Sequence, residues 1–362
     1  MLEKKYPKVI VDLTKLRHNI DEIVGRCMEQ GIEVAGVVKG FNGISETLEL
    51  YEESRCTAIA SSRLEHLEEA KRQGLASPLM AIRIPMLSEV ADLVRIADMS
   101  LNSEVTVIDA INEECLRTDK RHGIVLMADL GDLREGFYNK DDLIQAALHT
   151  EALDHVDLLG IGTNLGCYGS INATPDKMEE LAALAEAVET ALGRELAIVS
   201  GGGTTSFPLV YQGTMPKKIN HLRIGEGIAN GKDLQDLWNI PMPFLYTDIF
   251  KLQAEIVEIK DKPSYPVGEI FVDCFGGCGH YVDRGIRKRG ILAVGKVDFS
   301  LDSQLTPLSE GVEVLGSSSD HLIVDLEDSK ETFHVGDVME FELRYSTMVF
   351  LTSSPYVKVE IR

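Results

Sequence analysis

"EVAGVVKGFNG", residues 33–43, runs from an apolar, strand-like stretch straight into a lysine and a glycine-rich turn. A charged amine at the end of a buried strand either snorkels into water or marks a site. The sequence around it contains seven more runs of the same apolar, β-branched kind: "TAIASS" at 57, "SPLMAIRI" at 77, "MSLNS" at 99, "GIVLMADLG" at 123, "VDLLGIGT" at 156, "LAIVSGG" at 196 and "HLRIGEG" at 221. Segments of helical spacing separate them. The clearest spans 174–192, where Thr174 suits an N-cap, Pro175 the first turn, and Met178, Leu181, Leu184, Ala185, Val188 and Leu192 fall on one face. Alternating strand and helix implies parallel strands, and eight such units imply an α/β fold of the (β/α)8 TIM-barrel type.

After about residue 240 the texture changes. "KLQAEIVEIK", "GILAVGK", "GVEVLG", "HLIVDLED", "VMEFELRY" and "YVKVEI" read as strands of a mostly-β domain. The two prolines of "WNIPMPFLYTD", 238–248, mark the linker. The expected domains are therefore a barrel at 1–240 and a C-terminal β domain at 241–362. "KVIVD", 8–12, precedes the eight runs, and its place is open between the barrel and the second sheet.

With 36 Lys and Arg against 58 Asp and Glu, the formal net charge of −22 argues against nucleic acid or an anionic membrane as a partner. No apolar segment approaches the roughly 18 to 20 residues of a membrane span, and "MLEKKYPKVIVD" has no signal-peptide core, so a cytoplasmic location is expected. Six cysteines scattered through a long chain are expected to be reduced thiols. Cys274 and Cys278, with His280 close by, lack the second cluster that a zinc site needs, so no metal is expected.

In a TIM barrel the loops after the C-terminal strand ends form the active site. The first run delivers Lys39 and Asn42 there, the fifth Asp129 and Arg134, the sixth Thr163 and Asn164, the seventh "SGGGTTS" at 200–206, and the eighth Arg223, Gly225 and Glu226. The glycines of 201–203 leave backbone N–H groups unobstructed, and the hydroxyls of Thr204, Thr205 and Ser206 follow, which is the chemistry of a phosphate cradle. Lysine and a phosphate cradle in one mouth suggest pyridoxal 5′-phosphate (PLP), which needs both. A phosphosugar aldolase or isomerase would need the same pair, but not a second β domain.

Ordered motifs then carry a resemblance. "VDLTKLRHNI", "VVKGFNG", "MADLGDLREGF" and "LRIGEGI" in the barrel, and "ILAVGKVDF", "SSSDHLIVDLED" and "LRYSTM" beyond it, resemble blocks of the alanine racemase-like PLP enzymes, and most of all their ornithine racemase branch. The resemblance implies a PLP-dependent amino-acid racemase in which Lys39 binds the cofactor as a Schiff base and exchanges the Cα proton on one face. It implies that Arg223 faces the pyridine nitrogen, and that Gly202, Gly203, Thr204 and Thr205 hold the phosphate with Gly225 and Tyr345. Asn164 would stand beside the ring, and Arg134 near the substrate carboxylate or the group orienting it. It further implies a homodimer with shared active sites.

One departure matters. Alanine racemase takes its opposite-face base from a Tyr-Gly pair, whereas "GEIFVDCFGGCGHY", 268–281, places Phe275 before Gly276. A phenyl ring carries no proton. Cys274 is the favoured replacement because a thiol is readily tuned, with Asp273, His280 and Tyr281 as alternatives. Asp320, Asp273 or Glu226 would supply a carboxylate for a distal substrate ammonium such as that of ornithine. The competing readings are a PLP-dependent decarboxylase or D-amino-acid aldolase on the same scaffold, and a non-catalytic PLP-binding protein.

Overall fold

The structure, a computed structural model, describes residues 5–362; the first four residues, part of the expected barrel range and of the leader reading, lie outside it. The chain divides into two compact units. One is Leu16–Leu245, and in the other the chain up to Lys15 joins Tyr246–Arg362. The first strand, β1 (Lys8–Val11), belongs to the second unit.

Eight strands close the barrel of the first unit: β2 (Glu33–Val37), β3 (Ala58–Ser61), β4 (Leu79–Ala81), β5 (Met99–Asn102), β6 (His122–Met127), β7 (Val156–Gly162), β8 (Ile198–Ser200) and β9 (His221–Ile224). Each is parallel to its neighbour, and β9 closes onto β2 with Ala35 opposite Arg223. Seven of the eight apolar runs contain one of these strands, and the fifth begins one residue inside β6. Alternate residues fill the interior, where Ala35, Val37, Ala58, Ala60, Met80, Leu101, Val125 and Met127 pack together. Their alternates face the helical layer. A Cβ on Gly36, for example, would lie 2.3 Å from the ring of Tyr51 in the helix Ser45–Glu52, so the close packing of that helix on β2 requires glycine.

The helix Pro175–Leu192 begins as its sequence dictates. Thr174 caps it by accepting from the Lys177 N–H, and Gly193 ends it in the left-handed region at φ 71°. Its buried face is Met178, Leu181, Ala182, Ala185 and Val188, while Leu184 and Leu192 are only half-buried.

The second unit is a sheet of β10 (Phe250–Pro263), β11 (Ile286–Leu292), β12 (Leu305–Pro307), β13 (Glu313–Ser317), β14 (Leu322–Asp325), β15 (Val338–Leu343) and β16 (Lys358–Ile361), with β1. Its backbone is β10, 14 residues long, whose first half pairs with β1 and β15 and whose second half pairs with β11 beyond a bulge at Ile256/Glu258. β1 bridges this strand to β16. Leu252, Ala254, Ile256, Leu292, Val324, Met339, Phe341 and Leu343 alternate inward along these strands and are buried. No helix among the described residues is long and apolar enough to cross a membrane.

Candidate active site

Lys39 sits two residues beyond β2, in a 3-10 turn, Lys39–Phe41. The turn reverses through two consecutive left-handed residues, Asn42 at φ 56° and Gly43 at φ 55°, which explains the Asn-Gly pair. Gly43 N–H donates to the Val38 carbonyl at 3.0 Å. The His66 ring lies between Asn42 Oδ1 at 3.0 Å and Ser61 Oγ at 2.9 Å, pinning the turn to the end of β3. The lysine is thus held by the barrel frame. Burial, followed by the charges of Arg134 and Arg223, brings its ammonium below the ordinary lysine value, against the opposing influence of Cys167 and Glu135. A lysine so disposed yields its neutral, nucleophilic amine more readily.

Arg223 points into the barrel from β9 and is only 6% exposed. Its Nη1 donates to Ser200 Oγ at 2.5 Å and its Nη2 to the Thr163 carbonyl at 2.8 Å. Both acceptors are neutral, and burial lowers its pKa to about 10. Space for it comes from Gly162, where a Cβ would lie 3.0 Å from the Ser200 Cβ and 3.4 Å from Arg223 Nη1. A guanidinium offers five N–H donors, so this one retains donors for a ligand acceptor.

The turn 200–206 is built by its own hydroxyls. Gly202 is at φ 109°, and Thr204–Ser206 form a 3-10 turn leading into the short helix Phe207–Tyr211. Thr204 Oγ1 accepts from the Gly227 N–H at 3.0 Å, Thr205 donates to the Leu165 carbonyl at 2.9 Å, and Ser206 donates to the Gly201 carbonyl at 2.6 Å. The hydroxyls of Thr205 and Ser206 therefore spend their protons on the frame, leaving backbone N–H groups and the Thr204 hydroxyl proton as the turn's donors. Gly225 is tightly packed as well, since a Cβ there would lie 3.1 Å from the Val37 Cβ.

Two further loops complete the mouth. Asp129 Oδ1 accepts from the N–H groups of Gly131 at 2.8 Å and Leu133 at 3.1 Å, shaping the loop that bears Arg134. Arg134 Nη2 donates to Glu135 Oε1 at 2.6 Å, and its Nε meets Glu135 Oε2, so one edge of the guanidinium is occupied by that carboxylate. Asn164 Nδ2 donates to Cys167 Sγ at 3.0 Å. The buried Asp132 accepts from the N–H groups of Cys167, Tyr168 and Ile171 at 3.4, 3.0 and 3.3 Å, clamping the Asn164–Cys167 loop.

Sequence reading missed Glu135, Cys167, Asp132 and His221 as contributors to this mouth, and it named Ser200 only as the start of the glycine-rich turn. The first two lie one residue after Arg134 and three after Asn164, within the same loops, so the strand-end rule already pointed at their neighbourhood. Glu226, weighed for a distal ammonium, is pushed up to about 8 by burial and then by Asp233, so it is largely a neutral acid at pH 7.

The remaining expected residues belong to the sheet unit. Tyr345 opens the helix Tyr345–Ser353. Asp320 lies in the Ser318–His321 turn, with Ser319 Oγ donating to its Oδ2 at 2.6 Å. Cys274 is exposed in the long segment between β10 and β11. Beside it, Asp273 Oδ1 accepts from Phe275 and Gly277 N–H, both at 2.8 Å, and these bonds hold its carboxyl below the usual range. Tyr281 meets Tyr265 edge-on at 6.3 Å. Lys296 links this segment to the Asp320 turn: its N–H donates to the Ser318 carbonyl at 3.0 Å while its ammonium lies 4.7 Å over the Phe275 ring. All six thiols are free, and no group of three His, Cys, Asp or Glu side chains suited to a metal occurs among the described residues.

A (β/α)8 barrel whose mouth presents a buried lysine, a glycine-rich turn and an arginine without a bonded carboxylate, in one chain with a β domain, defines a class of PLP enzymes. The family model for the alanine racemase N-terminal domain matches residues 11–231. The chain is 38% identical over 356 residues to ornithine racemase of Acetoanaerobium sticklandii, covering 98% of this chain and 99% of that protein. It is 36% identical over 354 residues to lysine racemase of Thermotoga maritima, with 98% of each covered. In fold it is similar to alanine racemase of Clostridium difficile 630 (TM-score 0.74, 17% identity, 99% and 97% covered) and to D-threonine aldolase of Filomicrobium marinum (TM-score 0.74, 14% identity, 96% and 89% covered). The chain belongs to the alanine racemase family. It is an amino-acid racemase, and its cofactor is PLP.

The residues present fit that cofactor. The retained donors of Arg223 suit a ring nitrogen, the 200–206 turn suits a phosphate, and the Lys39 amine suits an aldehyde carbon.

Proposed function

We propose that the chain interconverts the L and D forms of ornithine by moving the Cα proton between two faces. The observation that carries this reading is the near full-length similarity to ornithine racemase, together with the buried amine of Lys39 beside Arg223. PLP, when bound, supplies an electron sink conjugated with the substrate's Cα. Lys39 would hold the cofactor, and its amine would take or return the Cα proton on its own face. Arg223 donates to the ring nitrogen but keeps its proton, which weakens the sink and favours simple proton return over side reactions. Gly202, Gly203, Thr204, Thr205 and Gly225, with Tyr345, hold the phosphate, and Asn164 stands beside the ring.

Arg134 meets the substrate carboxylate with the edge that Glu135 leaves open. Asp320 receives the distal ammonium, and Cys274 serves the opposite face. The working form is a homodimer in the cytoplasm whose sites are completed across the interface. Two measurements test this reading. L-ornithine incubated with the purified protein and PLP should lose optical rotation with no change in mass, whereas carbon dioxide release or carbon–carbon cleavage would overturn it. Sedimentation should give about twice the 39.9 kDa chain mass, and a monomer in the active preparation would remove the shared-site arrangement.

A further inference from the structure

Behind Arg223 lies a chain of buried polar groups that the proton-transfer scheme does not use. Ser200 and His221 sit opposite each other where β8 meets β9, and His221 and Arg223, two apart on one strand, point the same way into the barrel. Ser200 Oγ receives the Arg223 Nη1 bond at 2.5 Å and lies 2.8 Å from His221 Nδ1. Ser200 is fully buried and His221 is 3% exposed.

The donor count fixes the direction of this chain. A guanidinium can only donate, so Ser200 Oγ accepts from Arg223 and its single hydroxyl proton must go elsewhere. His221 Nδ1 is the acceptor in reach, which requires the neutral imidazole with its proton on Nε2. An imidazolium would leave the Ser200 hydroxyl proton without this acceptor and set a second cation beside Arg223. Burial and the arginine lower the His221 pKa to about 3, in keeping with the neutral form. With Nη1 committed to Ser200 and Nη2 to the Thr163 carbonyl, the guanidinium plane is held at two points.

We infer that Ser200 and His221 are positioning residues: the one-way chain His221–Ser200–Arg223 sets which N–H groups of the arginine face the cofactor. This rests on the reading in which Arg223 meets the ring nitrogen. The barrel contains a natural control. Ser100 Oγ and His122 Nε2 form a second buried Ser–His pair at 2.8 Å, bonded by Asn102 instead of an arginine and facing away from the interior cluster.

The test begins with the unmodified holoenzyme labelled with 15N-histidine. NMR should find one imidazole, assigned by its loss in His221→Asn, with an unprotonated Nδ1 and a protonated Nε2; a protonated Nδ1 overturns the chain without need of any further variant. Ser200→Ala and His221→Leu should each raise the dissociation constant for PLP roughly tenfold, the scale of a lost bond to a charged group. They should lower kcat with little change in KM. His221→Asn, which keeps an acceptor near the Nδ1 position, should recover most of both, and His122→Leu should leave PLP affinity untouched. Parent-like PLP affinity and kcat in Ser200→Ala would reduce the chain to core packing. Failure of the protein to racemise ornithine would leave the tautomer and the PLP measurements standing, so the two readings fail separately.

Discussion

The barrel mouth and the β10–β11 segment of the sheet unit treat their side chains in opposite ways. At the mouth the loops and the arginine are bonded within the barrel: Lys39's turn is pinned through His66, Arg223 through Ser200 and Thr163, and the Asn164 loop through Asp132. Between β10 and β11, Val267, Phe271 and Val282 are 91%, 80% and 74% exposed, and Cys274 is exposed with them. A parallel barrel buries its polar groups, and a buried polar group without a partner costs about 1–3 kcal/mol, so the mouth is fixed by its own hydrogen bonds. The segment has no such constraint, and its contiguous apolar side chains are of the kind that a partner surface covers. The roles proposed for Lys39, Arg223, Asn164 and the 200–206 turn therefore rest on a frame internal to one unit. The opposite-face role rests on a surface whose cover, in the proposed dimer, is a second copy.

The sharpest way to break this contrast is at the lysine. Lys39→Ala should lower racemisation by a factor on the order of 10³ or more, the loss of both the covalent anchor and one proton carrier. Borohydride reduction followed by peptide mass spectrometry should find the cofactor on Lys39, and an adduct on another lysine would move the site. Next comes Arg223→Glu. A buried carboxyl facing the ring nitrogen can share a proton with it, so racemisation should fall by roughly 10²-fold while slow transamination rises. An unchanged partition between the two reactions would leave Arg223 a structural residue.

For the exposed segment, Cys274→Ala should slow both directions by a factor on the order of 10² while PLP binding persists. Deuterium exchange at Cα should survive for one enantiomer only, because Lys39 can return what it removes. Should the same asymmetry follow a change at Asp273, His280 or Tyr281 instead, that residue is the opposite-face group. Phe271→Asp should weaken self-association, read as a lower sedimenting mass at low protein concentration, with the barrel's PLP affinity little changed.

The smallest effect concerns stability. Burial holds His122 down to about 4 from the ordinary histidine value of 6.5. The folded state thus binds its proton less readily than the unfolded chain, and its contribution is complete above pH 6.5 and lost as pH falls through about 4. Urea unfolding between pH 7 and 4 should show this loss, and His122→Asn should make the decline shallower. An unchanged slope would place the acid sensitivity elsewhere.

Much of this was legible in the sequence because it is local. Apolar runs at 33, 57, 77, 99, 123, 156, 196 and 221 give strands through alternation and composition, Thr174 and Gly193 bound a helix through backbone chemistry, and Asn42-Gly43 turn the chain after Lys39 through their tolerance of positive φ. The strand-end rule then named Lys39, Arg134, Asn164, the 200–206 turn and Arg223 as neighbours. What tertiary structure alone decided is how those groups are engaged. Barrel closure sets β8 and β9 in the register that brings Ser200 to His221 and Arg223, and it brings Asp132 to the Asn164 loop and Leu165 to Thr205. It also commits hydroxyls that looked free in the sequence to holding the frame. Such contacts join residues far apart in the chain, and their geometry depends on strand register and on the room left by Gly162, neither of which a local pattern encodes.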